Sequence, residues 1–214
     1  MLSSLTHELL IATLETCYMV LMSTFFATLF GLPLGTLVFS SAMIHPRPIL
    51  HRMLNGLINI FRSIPFIILL VAIIPMTRLV VGTSIGVNAA IVPLTCGAIP
   101  FFARLVDNAY QRLSPGLLDA GHAMGATPWQ MIRFILLPEA RGALMQAITV
   151  TAITLVNYSA MAGTVGGGGL GDLAIRYGYQ RFDVQVMIMT VLLLILIVQC
   201  LQWLGDALTT RFEQ

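Results

Sequence analysis

Lysine is absent from this chain of 214 residues, and its eleven basic residues are all arginine. A phosphate-binding loop ends in Gly-Lys-Ser/Thr. No such loop can form, so any ATP chemistry must come from a partner. Acid is nearly as scarce: from Thr16 to Ala103 there is no Asp or Glu, which denies that half of the chain the carboxylates of an intramembrane protease. The three cysteines, Cys17, Cys96 and Cys200, lie in apolar segments without redox or metal spacing and read as packing residues. His7, His45, His51 and His122 fall in terminal or loop positions without the paired spacing of a metal site. Neither a metal nor a cofactor is expected. Met1 to Glu15 contain no basic residue, so the n-region of a cleavable signal peptide is missing and the first apolar segment is expected to be retained.

What fills the chain instead is apolar. Hydrophobic residues make up 57% and charged residues 9%, against about 45–50% and about 25% in soluble domains. The fold class expected is all-α, a polytopic membrane protein with five spans and a helical elbow outside the bilayer. A first span is expected from Thr16 to Ile44, longer than the ~20 residues that cross a ~30 Å hydrocarbon core. Gly31-Leu-Pro-Leu-Gly35 offers it a kink, a small-residue face, or merely incidental glycines. The second, from about Met53 to Thr77, is interrupted by Arg62-Ser63-Ile64-Pro65. Two readings of Arg62 stand open. A helix starting at Met53 carries it about 13 Å into the span, where a charge is functional by default; a span starting near Pro65 leaves it snorkelling at the headgroups. Leu79 to Ala103, Gly142 to Gly171 (helical at least to Met161 and glycine-rich afterwards) and Val184 to Gly205 complete the set.

The longest charged island, Arg104 to Arg141, contains the elbow, Ser114 to Pro138. Ser114 reads as an N-cap with Pro115 in the first helical position. Gly125 supplies a C′ residue, Thr127-Pro128 repeats the start, and Pro138 is expected to stop the second helix. In that helix Trp129, Ile132 and Leu136 form one apolar stripe. If the elbow is cytoplasmic, Arg47, Arg52, Arg104, Arg112, Arg133, Arg141 and Arg211 lie inside, against Arg78, Arg176 and Arg181 outside. This bias obeys the positive-inside rule and puts the N-terminus outside and the C-terminus in the cytoplasm.

Asp119-Ala120-Gly121, Gly125, Ile135, Leu137 and Pro138 resemble the cytoplasmic coupling loop of bacterial ABC importer permeases: Glu-Ala-Ala, three residues, Gly, nine residues, Ile, any residue, Leu-Pro. Every spacing fits, with Asp119 and Gly121 in place of the usual Glu and second Ala. Asn59 to Leu70, Val81 to Gly86, Ala90 to Thr95, Ala123 to Pro128 and Tyr158 to Met161 extend the resemblance to the methionine-type permeases of that class, over nearly the whole chain. The resemblance implies one transmembrane domain over residues 1–214, a homodimer in the bacterial inner membrane, two ATPase subunits that bind the ATP and dock on the elbows, and a binding protein that delivers L- or D-methionine. Another amino acid or a methionine derivative is the alternative substrate. Coupling then falls to Asp119, Ala120, Gly121, Gly125, Thr127, Pro128, Ile135, Leu137 and Pro138. No nucleic-acid partner is implied.

Gly166 to Gly171 satisfies the dinucleotide fingerprint in letters only, because an apolar helix rather than a strand precedes it. It reads as a close-packed outer loop, followed by Arg176, Tyr177, Tyr179 and Arg181 for an outside contact, or as a merely flexible one. Beside it Asn157, Tyr158, Ser159 and Met161, together with Arg62, are the candidates for a pathway or gate. A secondary transporter would need ion-coupling groups in the spans and often shows inverted repeats. Arg62 is the only such group, and five spans do not halve. A membrane-assembly subunit would have no use for the elbow.

Overall fold

The computed structural model describes the backbone of residues 2–213 and the side chains of 5–211. Among the described residues every regular element is a helix. The order is α1 (Leu2–Met43), α2 (Pro48–Ser63), α3 (Phe66–Ala72), α4 (Ile74–Val81) and α5 (Val87–Gln111). The elbow follows with α6 (Pro115–Ala123), α7 (Pro128–Gln130), a π-helical stretch Met131–Leu136 and α8 (Leu137–Glu139). Then come α9 (Arg141–Gly163), α10 (Gly169–Leu173), a second π-helical stretch Ala174–Tyr179 and α11 (Val184–Glu213).

Helices α1, α5, α9 and α11 are each long and apolar enough to cross a membrane, and the bent pair α2 with α3 adds a fifth when the two are counted as one broken span. The bend is 99° and has a local cause. Pro65 disfavours helical geometry at the residue before it, and Ile64 is extended at φ −79°, ψ 124°.

Helix boundaries differ from those expected. α1 starts fourteen residues before Thr16 and runs unbroken through Pro33, because nothing ahead of Gly31 is glycine or proline. Its 42 residues measure about 63 Å at ~1.5 Å per residue. α5 starts after the left-handed turn at Gly82 and Gly86 (φ +82° and +100°) and continues past Ala103 to Gln111. It therefore carries Arg104 and Asp107 inside a helix. The fourth apolar stretch divides where its glycines begin, as expected: α9 runs past Met161 to Gly163 and the chain folds back as α10.

Gly31 and Gly35 form a small-residue face. A Cβ on Gly35 would meet the Ala103 carbonyl oxygen at 2.5 Å and Val106 Cβ at 2.7 Å, so backbone lies on backbone where α1 crosses α5. Thr36 Oγ1 and Tyr110 Oη, 3.2 Å apart, add a buried hydrogen bond to the same seam. Two apolar cores flank it. One gathers Met19, Leu94, Leu155 and Leu170 near the glycine loop; the other gathers Phe39, Phe102, Tyr110 and Leu144 with the elbow's Met131 and Leu136.

Gly56, in the middle of α2, has open space around it, and a Cβ there would meet nothing within 4 Å. Gly35→Ala is therefore expected to destabilise the detergent-solubilised protein by about 1–3 kcal/mol through overpacking, whereas Gly56→Ala gains about 0.5–1 kcal/mol of helix propensity. Thermal unfolding followed by size exclusion checks both, and equal shifts would refute the seam.

Candidate functional site

The elbow is built from local signals. Ser114 precedes α6, but its hydroxyl makes no cap bond; its carbonyl instead accepts Leu117 N–H at 3.0 Å. The other end closes as a Schellman motif: Gly125 N–H reaches His122 O and Ala126 N–H reaches Gly121 O, both at 3.0 Å. Gly125 sits at φ +72°, a region costing an L-residue roughly 1–2 kcal/mol. A capping box then starts α7. Thr127 Oγ1 accepts Gln130 N–H at 3.4 Å while Gln130 Oε1 accepts Thr127 N–H at 2.8 Å.

Pro138 does not stop the second helix, contrary to expectation; α8 runs to Glu139. The Pro138 ring would clash with the Phe134 carbonyl in an α-helix, and the chain widens into π geometry just before it, with Leu137 N–H bonding to Ile132 O. Bonds from i to i+5 bring residues five apart onto one face. Met131 and Leu136 are therefore fully buried, whereas Trp129 and Phe134 are 65% and 68% exposed. The expected Trp129–Ile132–Leu136 stripe divides accordingly.

The motif residues take distinct positions. Asp119 and Ala120 are exposed, Gly121 is buried, and Ile135 and Leu137 are half-buried against the elbow core. A Cβ on Gly121 would press on the Met131 sulfur and meet Ile135 Cδ1 at 2.8 Å. The departure from alanine thus matches the large side chain packed opposite. Asp119, His122, Met124, Trp129 and Phe134 make the outward face. The motif overlooks Met124 and Phe134, whose only signal in the sequence is a large apolar side chain in a charged segment.

A second feature lies where α2 breaks. α2 packs along α1 and α5, with Ile58 against Val38 and Ala103, and Asn59 Oδ1 accepts from Arg104 at 3.0 Å. Arg62, one turn on, lines a cavity of about 240 Å³ with Phe66, Leu69, Gly97, Phe101 and Tyr158. Arg62 is exposed in the last turn of α2, and Gly97 and Phe101 place it beside the middle of α5. Phe66 and Tyr158 stack with ring centroids 4.3 Å apart. Ser63 Oγ donates back to Asn59 O, four residues earlier, at 2.8 Å. Irregular backbone at membrane depth requires surrounding protein or water.

Arg62 and Tyr158 thus come together, and the other gate candidates do not. Asn157 faces α11, beside Leu194 and Val198. Ser159 is buried and donates to Val156 O at 2.7 Å. Met161 is 46% exposed. Neighbouring residues on a helix point about 100° apart, so one run of sequence cannot share one wall.

The glycine loop is held from a distance. Glu15 Oε2 accepts Gly169 N–H at 2.8 Å and Thr16 Oγ1 accepts Leu170 N–H at 2.9 Å. Side chains of α1 therefore cap α10, a role not visible in the sequence. The loop is close-packed, and Gly171 lies against the Ala160 backbone. Arg176 pairs with Asp172 at 2.7 Å, and the Arg176 and Arg181 guanidinium carbons sit 5.2 and 4.5 Å from the Tyr177 ring centroid. Both arginines are engaged within the chain, leaving Tyr179 exposed.

An all-helical bundle with four helices long and apolar enough to cross a membrane, a broken pair beside Arg62, and a capped elbow at one end is the architecture of a polytopic membrane protein. The chain belongs to the family of binding-protein-dependent transport system inner membrane components, which matches residues 27–214. It is 51% identical over 208 residues to the probable D-methionine transport system permease protein MetI of Vibrio cholerae, covering 96% of this chain and 92% of that one. The protein of the same description from Pasteurella multocida is 49% identical over 205 residues, covering 95% and 94%. Among solved structures, an inward-facing conformation of the MetNI methionine ABC transporter aligns with a TM-score of 0.92 at 47% identity, covering 97% of each chain.

Two substitutions probe this geometry. Gly121→Ala is expected to lower stability by about 1–3 kcal/mol, and Met131→Ala in the same chain to recover at least ~1 kcal/mol of that through their contact; additive losses in thermal unfolding would remove the contact. Glu15→Gln keeps an acceptor but loses the charge, and Glu15→Ala loses both. Glycine-loop amide exchange is expected to rise in the order wild type, Gln, Ala, and unchanged exchange in the Ala variant would refute the cap.

Proposed function

We propose that this chain is the permease subunit of an ATP-driven importer, carrying methionine across the bacterial inner membrane after delivery by a binding protein. The observation that carries the reading is the elbow: two short helices closed by a Schellman motif and a capping box, with their inner faces buried in the bundle and an apolar and acidic face turned outward. Such a knob transmits force without bending. Two subunits form the pathway as a homodimer, each chain contributing one transmembrane domain over residues 1–214. Two ATPase subunits bind and hydrolyse the ATP, and no cofactor resides in this chain. The arginine bias supports an orientation with the elbow and the C-terminus in the cytoplasm and the N-terminus outside.

Within the elbow the residues divide by role. Asp119 and Ala120 face the ATPase. Gly121, Ile135 and Leu137 hold the two helices together, while Gly125, Thr127 and Pro128 set the turn, and Pro138 forces the widened geometry. ATP binding closes the ATPases, the elbows move with them, and the bundle rocks between outward and inward access. Arg62 and Tyr158 line the pathway, with Asn157, Ser159 and Met161 on the same helix as Tyr158; exposed Met161 is the candidate gate. The high identity to proteins described as D-methionine permeases supports methionine as the substrate.

The test is uptake of a labelled amino-acid panel by cells expressing the chain with its cognate ATPase and binding protein, carrying Gly125→Asn or Gly125→Val. No atom lies within 4 Å of a Cβ at Gly125, so backbone conformation alone discriminates. Asn enters the left-handed region readily and a β-branched residue does not. Asn is expected to retain most methionine uptake and Val to lose at least tenfold at equal membrane abundance. Uptake of another amino acid would replace the substrate, and indifference to Val would remove the coupling role.

A further inference from the structure

We propose that the cavity at the break between α2 and α3 is a binding site for the transported amino acid, in which Arg62 holds its carboxylate. The inference rests on the importer reading above. Arg62 makes no hydrogen bond or ion pair among the described residues, and from Thr16 to Ala103 the chain offers no acid to pair with it. Arg62 is exposed at the open side of the cavity, so its unpaired guanidinium is available to an anion through charge-assisted hydrogen bonds. Its planar fork suits the two oxygens of a carboxylate.

The rest of the cavity matches the rest of the molecule. Its volume, about 240 Å³, falls below the ~300–1,000 Å³ of drug-sized sites and suits a single amino acid. The walls are Phe66, Phe101 and Tyr158, with Leu69 alongside. A thioether contacts aromatic rings favourably, and the stacked Phe66–Tyr158 pair presents a fixed surface for it. Gly97 leaves the pair room, since a Cβ there would crowd Leu69 Cδ2 at 3.3 Å and touch Phe66 Cδ2 at 3.4 Å. The cavity opens at the break, where Arg62, Ser63 and Pro65 are exposed. The site combines one charge for the group common to all amino acids with an apolar wall for the side chain.

The experiment measures binding of radiolabelled L-methionine to the permease–ATPase complex, without binding protein, in phosphatidylcholine nanodiscs. Competitors are L-methionine and L-methioninol, which keeps the amine and thioether but lacks the carboxylate. Wild type, Arg62→Gln and Arg62→Lys are compared, with uptake by cells measured for each. Arg62→Gln is expected to remove one class of methionine sites, weakening it at least tenfold, while Arg62→Lys retains part of it. Methioninol at hundredfold excess is expected not to displace methionine from that class. Binding unchanged in Arg62→Gln, or full displacement by methioninol, overturns the proposal. The methioninol arm needs only wild-type protein, so a variant that fails to assemble leaves the test decisive. Wild-type cells that take up no methionine would sink the importer reading instead, whatever the nanodiscs show. Repeating the assay with phosphatidylglycerol present separates a lipid phosphate: Arg62-dependent loss of methionine binding there means that the headgroup competes for the same guanidinium, as an oxyanion site requires.

Discussion

Two apolar helices in lipid have no hydrophobic reason to touch, since the acyl chains that surround them are as apolar as leucine. The bundle depends on contacts that lipid cannot imitate: close backbone approach and buried hydrogen bonds. α1 provides both along its length. At one end Gly35 lets it lie on the α5 backbone, and Thr36 reaches Tyr110. At the other, Glu15 and Thr16 take the free amides of α10. A single helix thus ties the elbow end to the glycine-loop end, and the two apolar cores form on either side of it.

The inner face of the elbow belongs to the bundle. Met131 and Leu136 are buried with Phe102, Val106, Tyr110 and Leu144, so displacement of the knob displaces α5 and α9. The π geometry matters here. By shifting the repeat to five, it turns Trp129 and Phe134 outward together and Met131 and Leu136 inward together, giving each partner surface a pair of large side chains.

Much of this is legible in the residues. Apolar runs and the scarcity of charge define five crossings, and the spacing from Asp119 to Pro138 defines the elbow; Gly125 and Thr127-Pro128 do what their types imply. The misses have physical causes. The edge of a charge-free run marks where lipid solubility ends, but a helix ends at a breaker, so α1 reaches back through Glu15 and Glu8. Pro138 reads as a stop only under α geometry, and a π turn accommodates the ring. Glu15 capping Gly169 joins residues 154 apart in sequence, which no local pattern announces. Asn157, Tyr158, Ser159 and Met161 are close neighbours in sequence, and a helix scatters such neighbours around its circumference.

The position of Arg62 beside the middle of α5 also has an electrical meaning. Carrying one charge across a membrane at 100 mV involves about 2.3 kcal/mol, so a displacement through a tenth of the field involves only ~0.2 kcal/mol. Even two copies moving together stay below thermal energy. The next charges along α5, Arg104 and Asp107, are paired at 3.2 Å and cancel one another, so a displacement of that size couples this part of the bundle only weakly to voltage.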